Sequence, residues 1–238
     1  MNEKKLSIVL PIYNEEKSIK KTILEWKNEL DLLKIDYEII LAEDGSDDNT
    51  KNILFELIND DKNKIYLNNI VEKKRGYAGA IISSVKIANG EFILYADSDG
   101  QCNPKDFINF WNKKEFIREG IVIGNRRTRS DTLFRLIMSK SFKIIHRILF
   151  YSKVKDPSCP YVLCRKKTFL ELEKYLIYMV EGFGWGFVAA CIKTKKNILE
   201  IDIDHKKRSE GKTNVFHLNE IPSIAIRNII GLLRIKLM

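Results

Sequence analysis

The chain has 238 residues, 45% hydrophobic and 31% charged, with only 5 Pro and 12 Gly. That length and mix exclude disordered, collagen-like and low-complexity chains as well as small disulfide scaffolds, and fit one generous domain with a substantial core. The net charge of +9 calls for an anionic partner.

Leu6 to Pro11 (LSIVLP) is a continuous apolar run of strand length, followed by a helix over Ser18 to Leu33 in which Ile19, Ile23, Trp26, Leu30 and Leu33 recur at helical spacing. Tyr37 to Ala42 predicts a second strand and Asn49 to Ile58 a second helix. Ile65 to Asn69 is a weaker third strand, Gly79 to Ala88 a third helix and Glu91 to Ala96 a fourth strand. Strands apolar on both faces, alternating with helices, predict an α/β fold with a mainly parallel sheet flanked by helices.

The second half reads differently. Gly120 to Gly124 is a short strand. Thr132 to Tyr151 is a basic amphipathic helix with Ile137, Met138, Phe142, Ile144, Ile145, Ile148 and Leu149 on its apolar side and Lys140, Lys143 and Arg147 opposite. Ile221 to Met238 is a second such segment carrying Arg227, Arg234 and Lys236. Charge concentrates in the same half: Arg126 to Lys167 holds twelve Lys or Arg against two acids, and His205 to Met238 seven against two. Such segments suit an anionic membrane surface, where each nearby base contributes about 1 kcal/mol. The other reading has Thr132 to Tyr151 simply cover the sheet with its basic stripe solvated.

Cys102, Cys159, Cys164 and Cys191 form neither C-x-x-C pairs nor a zinc pattern with the three histidines, which points to free thiols in a reducing compartment. The apolar run near the N-terminus is too short for a signal peptide, and no stretch reaches the length of a membrane span. The expected location is cytoplasmic, with peripheral association at the membrane. Trp26, Trp111 and Trp185 are expected in the core; His146, His205 and His217 are expected at the surface.

In open α/β sheets ligands bind beyond the carboxyl ends of the strands. Here those ends are Tyr13-Asn14-Glu15, Glu43-Asp44-Gly45-Ser46-Asp47 and Asp97-Ser98-Asp99-Gly100-Gln101, three acidic tips on one edge. Asp97 and Asp99, two hard carboxylates after a buried strand, suit Mg²⁺ or Mn²⁺ bridging a diphosphate; a polar turn is the plainer reading of the same residues. Asp44 would hydrogen-bond a base or ribose, or cap a helix with Ser46 or Asp47. The segment Arg75-Gly76-Tyr77-Ala78-Gly79 would present N–H groups to a phosphate or make a tight turn. Phosphate-loop and dinucleotide glycine motifs are absent from the sequence, which removes the main support for kinase, GTPase and dinucleotide-cofactor readings.

Val9-Leu10-Pro11-Ile12-Tyr13-Asn14-Glu15, Glu43-Asp44-Gly45-Ser46-x-Asp48-x-Thr50 and Asp97-Ser98-Asp99-Gly100-Gln101-x-x-Pro104 together resemble the ordered motifs of family 2 glycosyltransferases with the GT-A, Rossmann-like fold. Within that family the chain looks most like the polyprenyl-phosphate sugar transferases, the group that includes dolichyl-phosphate mannose synthase.

The resemblance implies that Pro11, Tyr13, Glu15 and Asp44 contact the nucleoside. It implies that Asp97, Asp99 and Gln101 hold the metal and diphosphate of a nucleotide-diphosphate sugar. Arg126 matches the arginine of the family's G-x-R segment. Arg208, with Gly211 and Lys212, resembles an element over the diphosphate, its hydroxyl residue and Lys transposed or shortened by one. Two departures stand out: Ala78 replaces a glycine, and Glu181 to Phe187 lacks the acid usual before the following helix, a place Glu181 would have to fill.

A lipid phosphate attacks without a general base, whereas a sugar hydroxyl needs one. Asp156 is the acid the basic half offers for that role, unless it is a turn or cap residue. The expectation is a single catalytic domain, residues 1–125 binding the nucleotide sugar and 126–238 facing acceptor and membrane. It would be an inverting, metal-dependent transferase to polyprenyl phosphate, with Asp99, Arg126, Arg208 and Asp156 as its catalytic residues. The rival readings are transfer to a hydroxyl of a glycan, lipid or protein and, from another class, a basic nucleic-acid-binding module. No nucleic-acid partner is expected, because acidic strand tips and a basic stripe interleaved with apolar residues suit one poorly.

Overall fold

Strands β1 (Leu6–Ile12), β2 (Tyr37–Glu43), β3 (Ile65–Leu67) and β4 (Phe92–Ala96) run parallel in the order β3-β2-β1-β4. The structure, a computed structural model, describes residues 5–61, 64–68, 75–127, 133–179, 181–206 and 221–238. Every residue of β1, β2 and β4 is buried, because helices cover the sheet; this is why these strands read as unbroken apolar runs. The helices between them are α1 (Ile19–Leu32), α2 (Thr50–Asp60) and α3 (Gly76–Ile87).

The sheet continues through β5 (Gly120–Arg126), β6 (Tyr161–Arg165) and β7 (Asn197–Ile203), giving the full order β3-β2-β1-β4-β6-β5-β7. β6 is antiparallel to both β4 and β5, while β5 and β7 are parallel. The carboxyl ends of β1, β2, β4, β5 and β7 therefore share one edge, and the chain enters β6 from that edge. Five strand ends and the loop before β6 are thus delivered to a single place.

Helix α3 starts at Gly76, three residues before the expected start. Gly76 takes a φ of +76°, a turn that favours glycine, and the Asp44 carboxylate accepts hydrogen bonds from the N–H groups of Arg75 (2.7 Å) and Gly76 (2.8 Å). A cap supplied from a distant strand has no local sequence signature.

The helices α4 (Phe107–Trp111), α6 (Lys166–Leu176) and α7 (Phe183–Lys193), with β6 and β7, complete the second half beyond what the sequence pattern foretold. α7 is almost entirely buried, so it shows no polar stripe, and Gly184 and Gly186 weaken its helical signal further. Its Phe183 and Phe187 pack edge-on against Tyr95 of β4, with ring centroids 5.4 and 5.6 Å away, fastening the two halves together.

Helices α5 (Leu133–Phe150) and α8 (Ile221–Leu237) both pack on α7 and on each other. The side chains of α5 differ from the expected two-sided pattern. Phe142, His146 and Phe150 turn inward, Phe142 and His146 onto Trp185, whereas Ile144 and Ile148 are 59% and 67% exposed beside exposed Lys140 and Arg147. α8 buries Asn228, Leu232 and Ile235 and exposes Ile226, Ile230, Leu233 and Leu237 among Arg227, Arg234 and Lys236. Among the described residues no helix is long and apolar enough to cross a membrane.

Trp26 and Trp185 lie in the core as expected, with Trp111 packed against it, and all four cysteines are free and buried. His146 is a correction: expected at the surface, it is fully buried, its Nε2 3.2 Å from the Trp185 carbonyl oxygen and its ring against Phe150 and Trp185. The basic stripe around it in sequence points elsewhere on the helix. His217 lies outside the described residues.

Burial disfavours the charged imidazole and lowers the His146 pKa from 6.5 to about 4. Between those two values the unfolded chain takes up a proton that the folded one refuses, so His146 lowers stability as pH falls through that window, by at most about 1.4 kcal/mol per pH unit. Urea unfolding of His146→Leu between pH 4 and 7 should show a flatter pH dependence than the parent. An unchanged slope would contradict the buried neutral imidazole.

Candidate active site

The first two strand tips are tied to each other. Asn14, with a φ of +56°, donates its N–H to Ser46 Oγ (3.0 Å), and its side-chain amide pairs with Asp47 in both directions. The Glu15 N–H donates to Thr50 Oγ1 (2.9 Å), and the Glu15 carboxylate accepts from Ser18 Oγ (2.7 Å). Pro11 is buried, and its carbonyl accepts from Ser98 Oγ at 2.6 Å, which ties the β1 tip to the β4 tip as well. Tyr13 and Glu15 are half-buried at this rim.

Asp44 is nearly inaccessible at 3% exposure, and both its oxygens accept from the start of α3. Of the two sequence readings, capping is the one the hydrogen bonds display. The capped helix is α3, not the adjacent α2. The Arg75 side chain folds beneath, donating to Ser83 Oγ (2.6 Å) and to the carbonyls of Glu43 (3.1 Å) and Asn68 (3.3 Å).

At the third tip the chain turns at Gly100, whose φ of +75° favours glycine, and the Gln101 N–H donates back to Asp99 Oδ1 at 3.0 Å. Asp97 accepts a hydrogen bond from the Tyr77 hydroxyl at 2.8 Å. Burial raises the Asp97 pKa, and the neighbouring Asp99 charge and more distant Glu15 raise it further; the Tyr77 hydrogen bond and Arg126 pull the other way.

Arg126, at the end of β5, is already committed. Its Nε and terminal nitrogen donate to the two oxygens of Asp156 at 2.6 and 2.9 Å, and the same terminal nitrogen reaches Ser158 Oγ at 2.8 Å. Their side chains are only 9% and 8% exposed. Burial opposes the guanidinium charge, but the Asp156 hydrogen bonds outweigh it and hold the Arg126 pKa above its ordinary value. The pair is close to neutral, so it only partly offsets the carboxylates of the β4 tip.

Gln101 is clamped to the segment just after β7: its side-chain N–H₂ donates to the Lys206 carbonyl (3.0 Å), its backbone carbonyl accepts from the Lys206 N–H (2.9 Å), and Cys102 and His205 form an antiparallel bridge. His205 is half-buried here, not at the open surface expected of it. Arg208, Gly211 and Lys212 follow directly but lie outside the described residues. Glu181 pairs with Arg227 of α8 at 2.5 and 3.0 Å.

The fold thus brings Pro11, Tyr13, Glu15, Asp44, Asp97, Asp99, Gln101, Arg126 and Asp156 to one edge. Tyr77 and His205 also belong there, and sequence reasoning passed over both. The alternation of strand and helix would have placed His205 beyond a seventh strand had β7 been recognised. Tyr77 carried no signal apart from standing in the glycine-bearing turn.

A divalent ion at this edge would meet hard oxygen donors. Among the described residues no three His, Cys, Asp or Glu side chains gather into a self-sufficient cage. Asp97 and Asp99 fit instead the sparse donor set of Mg²⁺ or Mn²⁺, which take one or two carboxylates and complete their shell from water and phosphate.

Breaking the buried pair has a calculable consequence. Asp156→Ala strands a buried guanidinium and should destabilise the fold by about 3 to 5 kcal/mol, whereas replacing both Arg126 and Asp156 by Leu should cost clearly less. Urea denaturation of the two variants measures this, and equal losses would contradict the pairing.

The family profile described as Glycosyl transferase family 2 matches residues 7–172. An undecaprenyl-phosphate 4-deoxy-4-formamido-L-arabinose transferase of Photorhabdus laumondii is 34% identical over 210 residues, covering 87% of this chain and 62% of that protein. One from Shewanella sediminis is 27% identical over 224 residues, covering 91% and 63%. A dolichyl-phosphate beta-glucosyltransferase of Dictyostelium discoideum is 26% identical over 252 residues, covering 97% and 77%. The chain thus spans about three-fifths of the length of the two bacterial relatives. Among solved structures, glucosyl-3-phosphoglycerate synthase of Mycobacterium tuberculosis, in complex with Mn²⁺, UDP-glucose and phosphoglyceric acid, superposes with a TM-score of 0.66 at 17% identity, over 99% of this chain and 80% of that one. The chain belongs to glycosyl transferase family 2 and has the GT-A fold.

Proposed function

We propose that this chain transfers a sugar, with inversion, from a nucleotide-diphosphate donor to a polyprenyl phosphate at a membrane surface. The observation that carries the donor half is the Asp97–Asp99 tip, where burial first and the neighbouring Asp99 charge second raise the Asp97 pKa while Arg126 is held by Asp156. A divalent cation bound there would stabilise negative charge on the departing diphosphate, a contribution of several kcal/mol in comparable enzymes.

The chain's own residues divide the remaining work. Asp97 and Asp99 hold the cation, with the Gln101 side chain beside them. Pro11, Tyr13, Glu15 and Asp44 flank the nucleoside, the Asp44 oxygens each keeping acceptor capacity beyond the α3 bonds. Arg126 adds positive potential, and Asp156 fixes the guanidinium in place. Arg208, just past the Gln101–Lys206 clamp, is assigned to the diphosphate. Residues 1–125 serve the donor and 126–238 the acceptor and the membrane.

The acceptor follows from which acids are engaged. Asp156 is bound to Arg126 and Glu181 to Arg227, so neither candidate base stands ready to take a proton from a hydroxyl. A phosphate monoester is anionic at neutral pH and attacks without one. Relatives named for undecaprenyl-phosphate and dolichyl-phosphate acceptors support the same reading. So does the outer face of α5 and α8, where exposed Ile144, Ile148, Ile226, Ile230 and Leu233 alternate with Lys140, Arg147, Arg227 and Arg234.

Purified enzyme assayed with Mn²⁺, a panel of UDP- and GDP-sugars and either polyprenyl phosphate or hydroxyl acceptors should form product only with the phosphate. Folded Asp99→Ala should lose at least about 100-fold in transfer rate. Product with hydroxyl acceptors alone, or full activity in Asp99→Ala, would overturn the respective halves. Vesicle flotation supplies a separate check: Ile148→Glu with Ile230→Glu should release the protein from vesicles containing anionic lipid while leaving its thermal unfolding near that of the parent.

A further inference from the structure

Tyr77 is the second residue of α3, and its hydroxyl reaches across to the tip of β4, where it donates to Asp97 Oδ1 at 2.8 Å. Its ring already has a packing partner, Phe183 of α7, edge-on with centroids 6.0 Å apart. Phe183 in turn packs on Tyr95. A phenylalanine would preserve that packing, and it would avoid the cost of taking a hydroxyl out of water. What the hydroxyl adds at this position is the bond to Asp97.

The placement of the hydroxyl is set from the neighbouring tip. Asp44, at the end of β2, fixes the N–H groups of Arg75 and Gly76, and the next residue is Tyr77. Contacts therefore run without a break from Asp44 through the first turn of α3 to Asp97. A donor on one carboxylate oxygen restricts how the other is presented, and partners of this kind alter metal affinity 10- to 100-fold in metalloproteins generally.

We propose that Tyr77 is a positioning residue for the divalent-cation site, its hydroxyl holding the Asp97 carboxylate in the orientation that grips the ion. The inference rests on the reading of the Asp97–Asp99 tip as that site. It assigns a role in cation binding to the glycine-bearing turn 75–79, whose backbone alone suggested a phosphate contact or a simple turn.

The test compares the parent with Tyr77→Phe. Free Mn²⁺ is measured by electron paramagnetic resonance in a titration with Mn²⁺ alone and again with inorganic pyrophosphate present. Metal-free thermal unfolding is run in parallel. The expected result is a Tyr77→Phe protein that unfolds like the parent without metal but binds Mn²⁺ about 10-fold or more weakly. In the transfer assay its KM for Mn²⁺ should rise by a similar factor, with kcat recovered at saturating metal. Equal Mn²⁺ affinity in the two proteins, or a kcat loss that excess Mn²⁺ leaves untouched, would overturn the role of Tyr77 alone. A parent protein that binds no Mn²⁺ under either condition would overturn the cation reading together with it.

Discussion

Two carboxylates follow a buried strand, and Arg126, which offsets their charge only in part, is bound to Asp156. That electrostatic constraint at Asp97 and Asp99 organises the whole edge. Burial disfavours the charged carboxylate and the neighbouring Asp99 charge adds to the effect, which is why the Asp97 carboxyl is pushed toward its protonated form. The Tyr77 hydrogen bond and the Arg126 charge offset that push only in part. Under the proposed function, a divalent cation held by Asp97 and Asp99 would relieve it further and would stabilise negative charge on a departing diphosphate.

The sheet imposes this arrangement more than any single side chain does. β6 runs against its neighbours, so β5 and β7 come back parallel to β4 and present their ends beside Asp97. Arg126, Asp156 and His205 therefore reach a rim that the first four strands began. Hydrogen bonds then cross from tip to tip: Asn14 to Ser46, Ser98 to Pro11, Asp44 to the start of α3, Tyr77 to Asp97, Gln101 to Lys206. A site spread over several loops keeps its geometry because each loop is fastened to the next.

The first half of the chain was legible in the sequence because its signals are local. Continuous apolar runs such as LSIVLP and EFILYA mark buried parallel strands, and acidic residues directly after them stand out against that background. The second half was less legible because its determinants are tertiary. α7 is wrapped in protein on nearly all sides and so lacks amphipathic periodicity, and β6 owes its direction to pairing with distant strands. His146 misled for a related reason: the Lys and Arg around it in sequence point outward while its own ring points into the α5–α7 contact. Asp156 stood out as one of two acids in a basic stretch, but only the fold reveals it as the partner of Arg126. The Tyr77 hydrogen bond joins residues twenty positions apart, beyond any local motif.

The central claim is that the β4 tip holds a divalent cation against a diphosphate. Anomalous diffraction at the manganese edge, from crystals grown with Mn²⁺ and a nucleotide diphosphate, tests it most directly. The account expects a peak within about 2.0 to 2.2 Å of a carboxylate oxygen of Asp97 or Asp99, with phosphate oxygens completing the shell. A nucleotide seated on this edge with no manganese beside those carboxylates, or manganese bound somewhere else, would contradict it.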